Sequence, residues 1–477
     1  MQKAEDAYSA FDNLVSILKT INVHSISMIG LGKSPFHDGQ AHIAYCGSLT
    51  TLAKGILNCK ASGPPPRQRS AAYVSQLERQ LNIPAVSPTK IYSLTSIRFF
   101  AAALVLFHHS IPTFLPAVAK MDSTQMLQGS LNRGLLSFTT SVSFFFLLSG
   151  YVLGRMYLCK DDAVDIRSFW AARFARIYPM YFVMLVIDSQ QLLKGELQAH
   201  GLMSALFKTS KIFVANALMM QAWDTSRLLR INVPSWSLSA EIFFYLCFPV
   251  LGGWLWKLRG KGLWMTALGI YVGGQTLVWI VRPHLAVQTL LSLPLLHLST
   301  FAMGIVLARA QTLQEQGRKG AEAPLRQVRL VLAGGVGGVL LSILMMPLFH
   351  VPGPYNNGLL TPAFAGIIWG LSAAKTSVSR WLCTGWLVAL GNASYAIYLI
   401  HLPLQSLFVQ FHWVGEWFYT LYLAVCLGLS VLSFYYFETP VRLWLLRWLH
   451  SRTVETMEVV TSVARASSPT SGGMRAS

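Results

Sequence analysis

The sequence predicts an all-α fold, a polytopic transmembrane helical bundle of about ten spans. Three observations carry this. Hydrophobic residues make up 53% of the 477-residue chain and charged residues only 12%, where an ordinary soluble domain holds about 25% charged residues. Mean hydropathy is +0.47. About ten apolar segments follow one another, each near the ~17–25 residues that a bilayer requires. A soluble globular enzyme, a disordered chain and a small disulfide scaffold are excluded by this composition.

In chain order, residues 1–90 form a polar N-terminal arm with no stretch long enough to span and no basic region leading into an apolar core, so no cleavable signal peptide is expected. Ser62-Gly63-Pro64-Pro65-Pro66-Arg67 reads as a linker. The membrane domain covers 91–450. Its spans are expected near 94–113, 135–157, 174–193, 235–256, 263–281, 286–308, 328–349, 358–374, 386–410 and 418–440. Segment 204–222 is interrupted by Lys208 and Lys211 and is expected to lie at the interface. The glycine run Gly334-Gly335-Val336-Gly337-Gly338 falls inside a span and indicates close helix packing. Residues 451–477 are polar and are expected to be disordered.

The formal net charge is +19. The basic residues sit in short gaps between apolar runs, so membrane topology accounts for them before nucleic acid does. No nucleic-acid partner is expected; anionic lipid or an anionic substrate fits the charge. With ten spans and both termini cytosolic, the inside gaps hold 18 Lys and Arg and the outside gaps 8. Five of those eight sit in the long gap 194–234, which weakens the bias. Cys46, Cys59, Cys159, Cys247, Cys383 and Cys426 form no CxxC pair, so neither a metal site nor a disulfide framework is expected.

Ionisable groups inside spans mark candidate sites. Arg98 and His109 are eleven residues apart, close to three helical turns, so they share a face about 16 Å apart along the axis. A snorkelling arginine and a polar helix end give the alternative. His108 points about 100° away and is the weaker candidate. Arg173 and Arg176 are i, i+3 neighbours that suit a phosphate, although the positive-inside rule alone also places arginines there. Glu241 lies about two turns into a span, where a charge costs ~2.5–3.5 kcal/mol and calls for a partner. It is either functional or an arginine-pairing lock. Its depth matches that of His109, both in the outer half of their spans, which leaves a meeting of the two open. His401 sits mid-span before Pro403, as a hydrogen-bonded core histidine or as a site residue. His297 reads as structural, and Glu438 as a cap or an arginine partner.

Six segments in this order resemble the acyltransferase 3 family of integral membrane O-acyltransferases. They are Arg98 with His109, Phe144-Phe145-Phe146-Leu147-Leu148-Ser149-Gly150-Tyr151, the Arg173/Arg176 pair before Ile177-Tyr178-Pro179, Trp236-Ser237-Leu238-Ser239-Ala240-Glu241, Ser394-Tyr395 to His401, and Phe437-Glu438-Thr439-Pro440. The resemblance spans about 92–445 and leaves out the N-terminal arm. Some members carry an esterase-like C-terminal extension; none is expected here, and the resemblance implies single-module acyl transfer.

The resemblance implies transfer of an acyl group, often acetyl, from acyl-CoA to a hydroxyl of a small molecule such as a secondary metabolite or a carbohydrate. No bound cofactor or metal is implied; acyl-CoA is a co-substrate. His109 is then the general base, and Glu241 the carboxylate that orients it. Arg98, Arg173 and Arg176 hold the donor phosphates, and Trp236, Ser239, Tyr395 and His401 contribute to substrate binding. A proton-coupled transporter is the alternative, since intramembrane His and Glu also build proton relays. No internal repeat supports it.

Overall fold

A computed structural model describes residues 92–115, 140–159, 165–318, 323–349, 355–373 and 376–449. The expected arm and linker at 1–90 and the tail at 451–477 lie outside the described residues. No strand occurs among the described residues. The helices are α1 (Tyr92–Phe114), α2 (Ser141–Leu153, continued by a π turn Gly154–Leu158), α3 (Ile166–His200) and α4 (Leu202–Ala217). They continue as α5 (Trp236–Trp256), α6 (Gly260–Val281), α7 (Pro294–Gly317), α8 (Leu325–Phe349), α9 (Thr361–Ser372), α10 (Gly385–Gln410) and α11 (Glu416–Ser433).

Among the described residues, nine helical stretches are long and apolar enough to cross a membrane. The expected span 358–374 contracts to the 12 residues of α9, about 18 Å against a hydrocarbon core of about 30 Å. The reason lies just before it. Asn357 and Gly358 leave helical geometry inside the turn Tyr355–Leu359, with Gly358 at φ 96°. Non-helical backbone in a membrane bundle must be satisfied by protein or line a cavity. Ser143 donates to Asn356 O, Gln275 donates to Asn357 O at 3.0 Å, and Tyr271 donates to Leu359 O at 2.9 Å.

Two parallel helix pairs organise the centre. In the first, α2 and α7 meet at Gly150 and Gly304. A Cβ on Gly150 would lie 2.1 Å from Phe301 O, and one on Gly304 2.1 Å from Leu147 O. Without a hydrophobic drive between helices in lipid, such close backbone approach supplies the contact. Farther along the same pair, Tyr151 donates to Gln311 at 2.7 Å and Arg155 pairs with Glu315 at 2.8 Å.

The second pair is α1 with α10. Gly391 abuts Thr95 and Ser96, His401 reaches His109, and Gln405 donates to Thr113 at 2.6 Å. Helix α11 returns antiparallel, with Tyr422 stacked on Phe114 at 4.7 Å. The parallel setting of α1 and α10 requires an odd number of crossings between them. Short α9 therefore counts as a crossing, and the chain enters α1 and leaves α11 at the same end of the bundle.

The predicted interface segment forms α4. It exposes Met203, Phe207 and Val214 and is tied to α3 by Lys208 on Glu196 at 3.3 Å. Glu196 also takes Arg230 at 2.9 Å and His200 at 3.1 Å, and Arg227 sits 3.7 Å from Asp224. Three of the five cations that weaken the charge bias thus have structural partners. In the glycine run, Gly335 and Gly338 face α9, where a Cβ would meet Ala363 at 2.7 and 3.2 Å.

Candidate active site

The parallel approach of α1 and α10 brings two imidazoles together. His109 Nδ1 lies 3.0 Å from Val105 O, one turn back on its own helix, and 3.4 Å from His401 Nε2. His401 Nδ1 lies 3.1 Å from Ile397 O. A carbonyl oxygen only accepts, so both Nδ1 atoms carry the proton. His401 Nε2 then presents a lone pair to His109 Nδ1–H, and His109 Nε2 is left with a lone pair of its own. His401 is fully buried, and Tyr422 and Gln405 fix the surrounding backbone by donating to His401 O at 3.0 Å and His109 O at 3.1 Å.

A cavity of about 100 Å³ opens at His109, lined also by His108, Trp236, Leu291, Asn356 and Tyr398 among others. Trp236 is held by the His297 ring at 5.3 Å and by Phe146 at 6.0 Å. The Tyr398 hydroxyl contacts Pro234 O and Ser237 Oγ, each at 2.8 Å. A wider groove of about 240 Å³ between α3 and α4 is lined by Leu193, Leu206, Phe213 and Val214 with Thr209 and Ser210, and carries no ionisable group. Of the two, only the smaller cavity presents ionisable side chains.

Toward the other end of the bundle stands a charge cluster. Arg98 lies within electrostatic range of Arg176, Glu241, Tyr245 and Glu438, and Glu438 within range of Arg176, Arg442 and Arg98. Arg173 is buried. It reaches Tyr157 OH at 3.4 Å and lies over that ring at 5.7 Å, while its Nε has no partner. Arg176 makes no hydrogen bond or ion pair among the described residues. A half-buried group richer in guanidinium than in carboxylate, with donors unspent, is suited to an anion. Glu438 takes the expected place beside arginines, from a π turn at Phe434–Glu438.

The structure separates some of the residues that the sequence grouped. Glu241 does not reach His109. Its Oε1 accepts from Ser149 at 3.0 Å and from Tyr245, and no hydrogen bond joins it to His109 among the described residues. The helix period placed each residue on its own face but carried no register between α1 and α5. Ser239 contacts Met219 O and Ala222 N, and Tyr395 donates to Ile177 O at 2.7 Å, so both hydroxyls tie the bundle rather than line the cavity. Trp236 lines it, and His401 backs His109. Both His108 and His109 line the cavity, but only His109 bonds His401. Tyr398 and Asn356 were not foreseen. Tyr398 stands one turn before His401 on the same face, a signal the sequence did carry. Among the described residues no cluster of His, Cys, Asp or Glu is placed to hold a metal ion.

The sequence model of one family, described as an acyltransferase domain, matches residues 91–437. The chain belongs to this family, the acyltransferase 3 membrane acyltransferases. Acyltransferase MdmB of Streptomyces mycarofaciens is 28% identical over 343 residues, covering 65% of this chain and 78% of that protein. Nodulation protein 10 of Rhizobium leguminosarum bv. viciae is 25% identical, covering 72% and 91%. Peptidoglycan O-acetyltransferase OatA of Listeria monocytogenes is 27% identical, covering 63% of this chain and 51% of that protein. No solved structure matches. Membership establishes, at the level of the family, a multi-pass membrane acyltransferase.

Proposed function

We propose that the protein transfers a short acyl group, acetyl, from cytosolic acyl-CoA to a hydroxyl of a small molecule such as a secondary metabolite or a carbohydrate. The observation that carries this reading is the layout of α1, which holds Arg98 in the cation cluster and His109 at the cavity, about 16 Å apart along one helix. The donor phosphates rest on Arg98, Arg173 and Arg176, and the pantetheine arm runs along the bundle to the imidazole. A cavity of about 100 Å³ suits a two-carbon acyl group. The printed name of the Listeria relative, an O-acetyltransferase, supports the same chemistry.

In the reaction, His109 Nε2 takes the acceptor hydroxyl proton as that oxygen attacks the thioester carbonyl carbon. The C–S bond breaks, and the CoA thiolate leaves with the proton that His109 gave up. His401 Nε2 accepts from His109 Nδ1–H, so it stabilises the transient imidazolium, the part assigned to a carboxylate in a Ser-His-Asp arrangement. The acceptor enters beside Trp236 and Asn356. The 18 basic residues against 8 support a cytosolic setting for the end at which α1 begins and α11 finishes.

The test is a comparison of metabolites from cells with and without the gene, paired with CoA binding by detergent-purified protein. A lost acetyl increment together with CoA binding is expected. Unchanged metabolites and no CoA binding would remove the reading.

A further inference from the structure

We infer that Glu241 is a donor-binding residue, whose Oε2 accepts an amide N–H of the pantetheine arm. This rests on the acyl-CoA reading above.

Three observations lead to it. The first is position. On α5, Trp236 lines the histidine cavity, and Tyr245 stands within electrostatic range of Arg173 and Arg176. Glu241 lies between them, about 7.5 Å along the axis from Trp236 and about 6 Å from Tyr245. It is therefore midway between the cation cluster and the reacting centre, where the arm of the donor has to pass.

The second is the unequal use of its two oxygens. Oε1 accepts from both Ser149 and Tyr245. Oε2 makes no hydrogen bond or ion pair among the described residues. A carboxylate offers about four acceptor sites, and here one oxygen is pinned by two donors while the other is left over. The pinning fixes the direction of the second oxygen in advance.

The third is what Glu241 does not do. It stands within electrostatic range of Arg98 and Arg173, yet among the described residues no guanidinium comes within 4.0 Å of it and no ion pair locks it. It does not touch His109 either. A carboxylate held inside a bundle is costly unless it meets a partner. The segment of acyl-CoA between phosphate and thioester is uncharged and carries two amide N–H donors, which this acceptor suits. A hydrogen bond to an ionised acceptor is among the stronger ones.

The experiment measures dissociation constants of full-length, detergent-purified protein for CoA and for two CoA analogues, each with one pantetheine amide replaced by an ester, which removes the N–H and keeps the shape. Wild-type protein is expected to lose about tenfold or more in affinity for one analogue. Glu241→Gln is expected to bind CoA more weakly and to lose most of that discrimination. Wild-type protein that binds both analogues as tightly as CoA overturns the assignment, and this arm needs no variant to fold. A Glu241→Gln protein that discriminates as fully as wild type overturns it too, because another group then reads the amide. Wild-type protein that binds no CoA at all removes the donor reading itself, an outcome distinct from the other two.

Discussion

His109 Nδ1 and His401 Nε2 stand 3.4 Å apart across two helices that run in the same direction. Each imidazole is held by the carbonyl four residues before it, Val105 for one and Ile397 for the other. The α10 backbone sets the tautomer of His401 and the α1 backbone that of His109, so that His401 Nε2 faces the His109 Nδ1 proton as an acceptor. Gly391 makes this contact possible, because a side chain there would meet Thr95 O at 2.2 Å and push α10 away from α1.

His401 is accordingly expected to act on turnover rather than on donor binding. His401→Leu should lower kcat by about 10²-fold, the scale of a misaligned catalytic group, with CoA affinity unchanged. His401→Gln keeps an acceptor near Nδ1–H of His109 and should recover part of the loss. Equal kcat in both variants and wild type would reduce His401 to a packing residue.

The arginines should divide the opposite way. Among the described residues Arg176 makes no hydrogen bond, whereas Arg173 lies on the Tyr157 ring and reaches its hydroxyl. Arg176→Ala is expected to raise KM for acetyl-CoA about tenfold or more with a smaller change in kcat, the mark of lost uniform binding. Arg173→Ala should do the same and also lower thermal stability in detergent. Unaltered donor KM in both would leave them as topology signals.

What the sequence disclosed follows from what lies within one element. Span positions were legible because length and hydropathy are local. Arg98 and His109 were legible as a pair because one helix carries both. The partner of His109 was not, since depth within two separate spans fixes neither their neighbours nor their rotation. Depth alone favoured Glu241 over mid-span His401, and the α1–α10 contact brings His401 to His109 instead. The shortness of α9 depends on carbonyls satisfied by Ser143, Tyr271 and Gln275, each from a distant segment. The turn chemistry of Asn356-Asn357-Gly358 was the one local hint of it.

The packing of α2 on α7 gives a stability prediction independent of catalysis. Gly304→Val places a branched side chain against Leu147 O and Tyr151 N, which a Cβ alone would approach to 2.1 and 2.7 Å. Helix separation must grow, at a cost of about 1–3 kcal/mol or more. A lower melting temperature in detergent is expected, whereas Gly269→Val on α6, with nothing within 4 Å of its Cβ, should leave it nearly unchanged. Matching melting curves for the two would show that α2 and α7 do not approach as described.

The sharpest prediction separates two adjacent histidines that line one cavity. His108 and His109 have ring centroids 4.9 Å apart, so proximity to substrate does not distinguish them. The proton does. His109 has its Nδ1 proton committed to Val105 O and His401, which leaves Nε2 as a base and gives the resulting imidazolium an acceptor. His109→Ala should therefore cost about 10²–10⁴ in turnover while CoA affinity and folded yield stay near wild type. His108→Ala should cost less and act more on acceptor KM, because that ring walls the cavity without joining the His109–His401 contact. The comparison is made on detergent-purified protein matched for amount. If His108→Ala abolishes turnover and His109→Ala keeps it, the base is the other imidazole and the orienting role given to His401 falls with it.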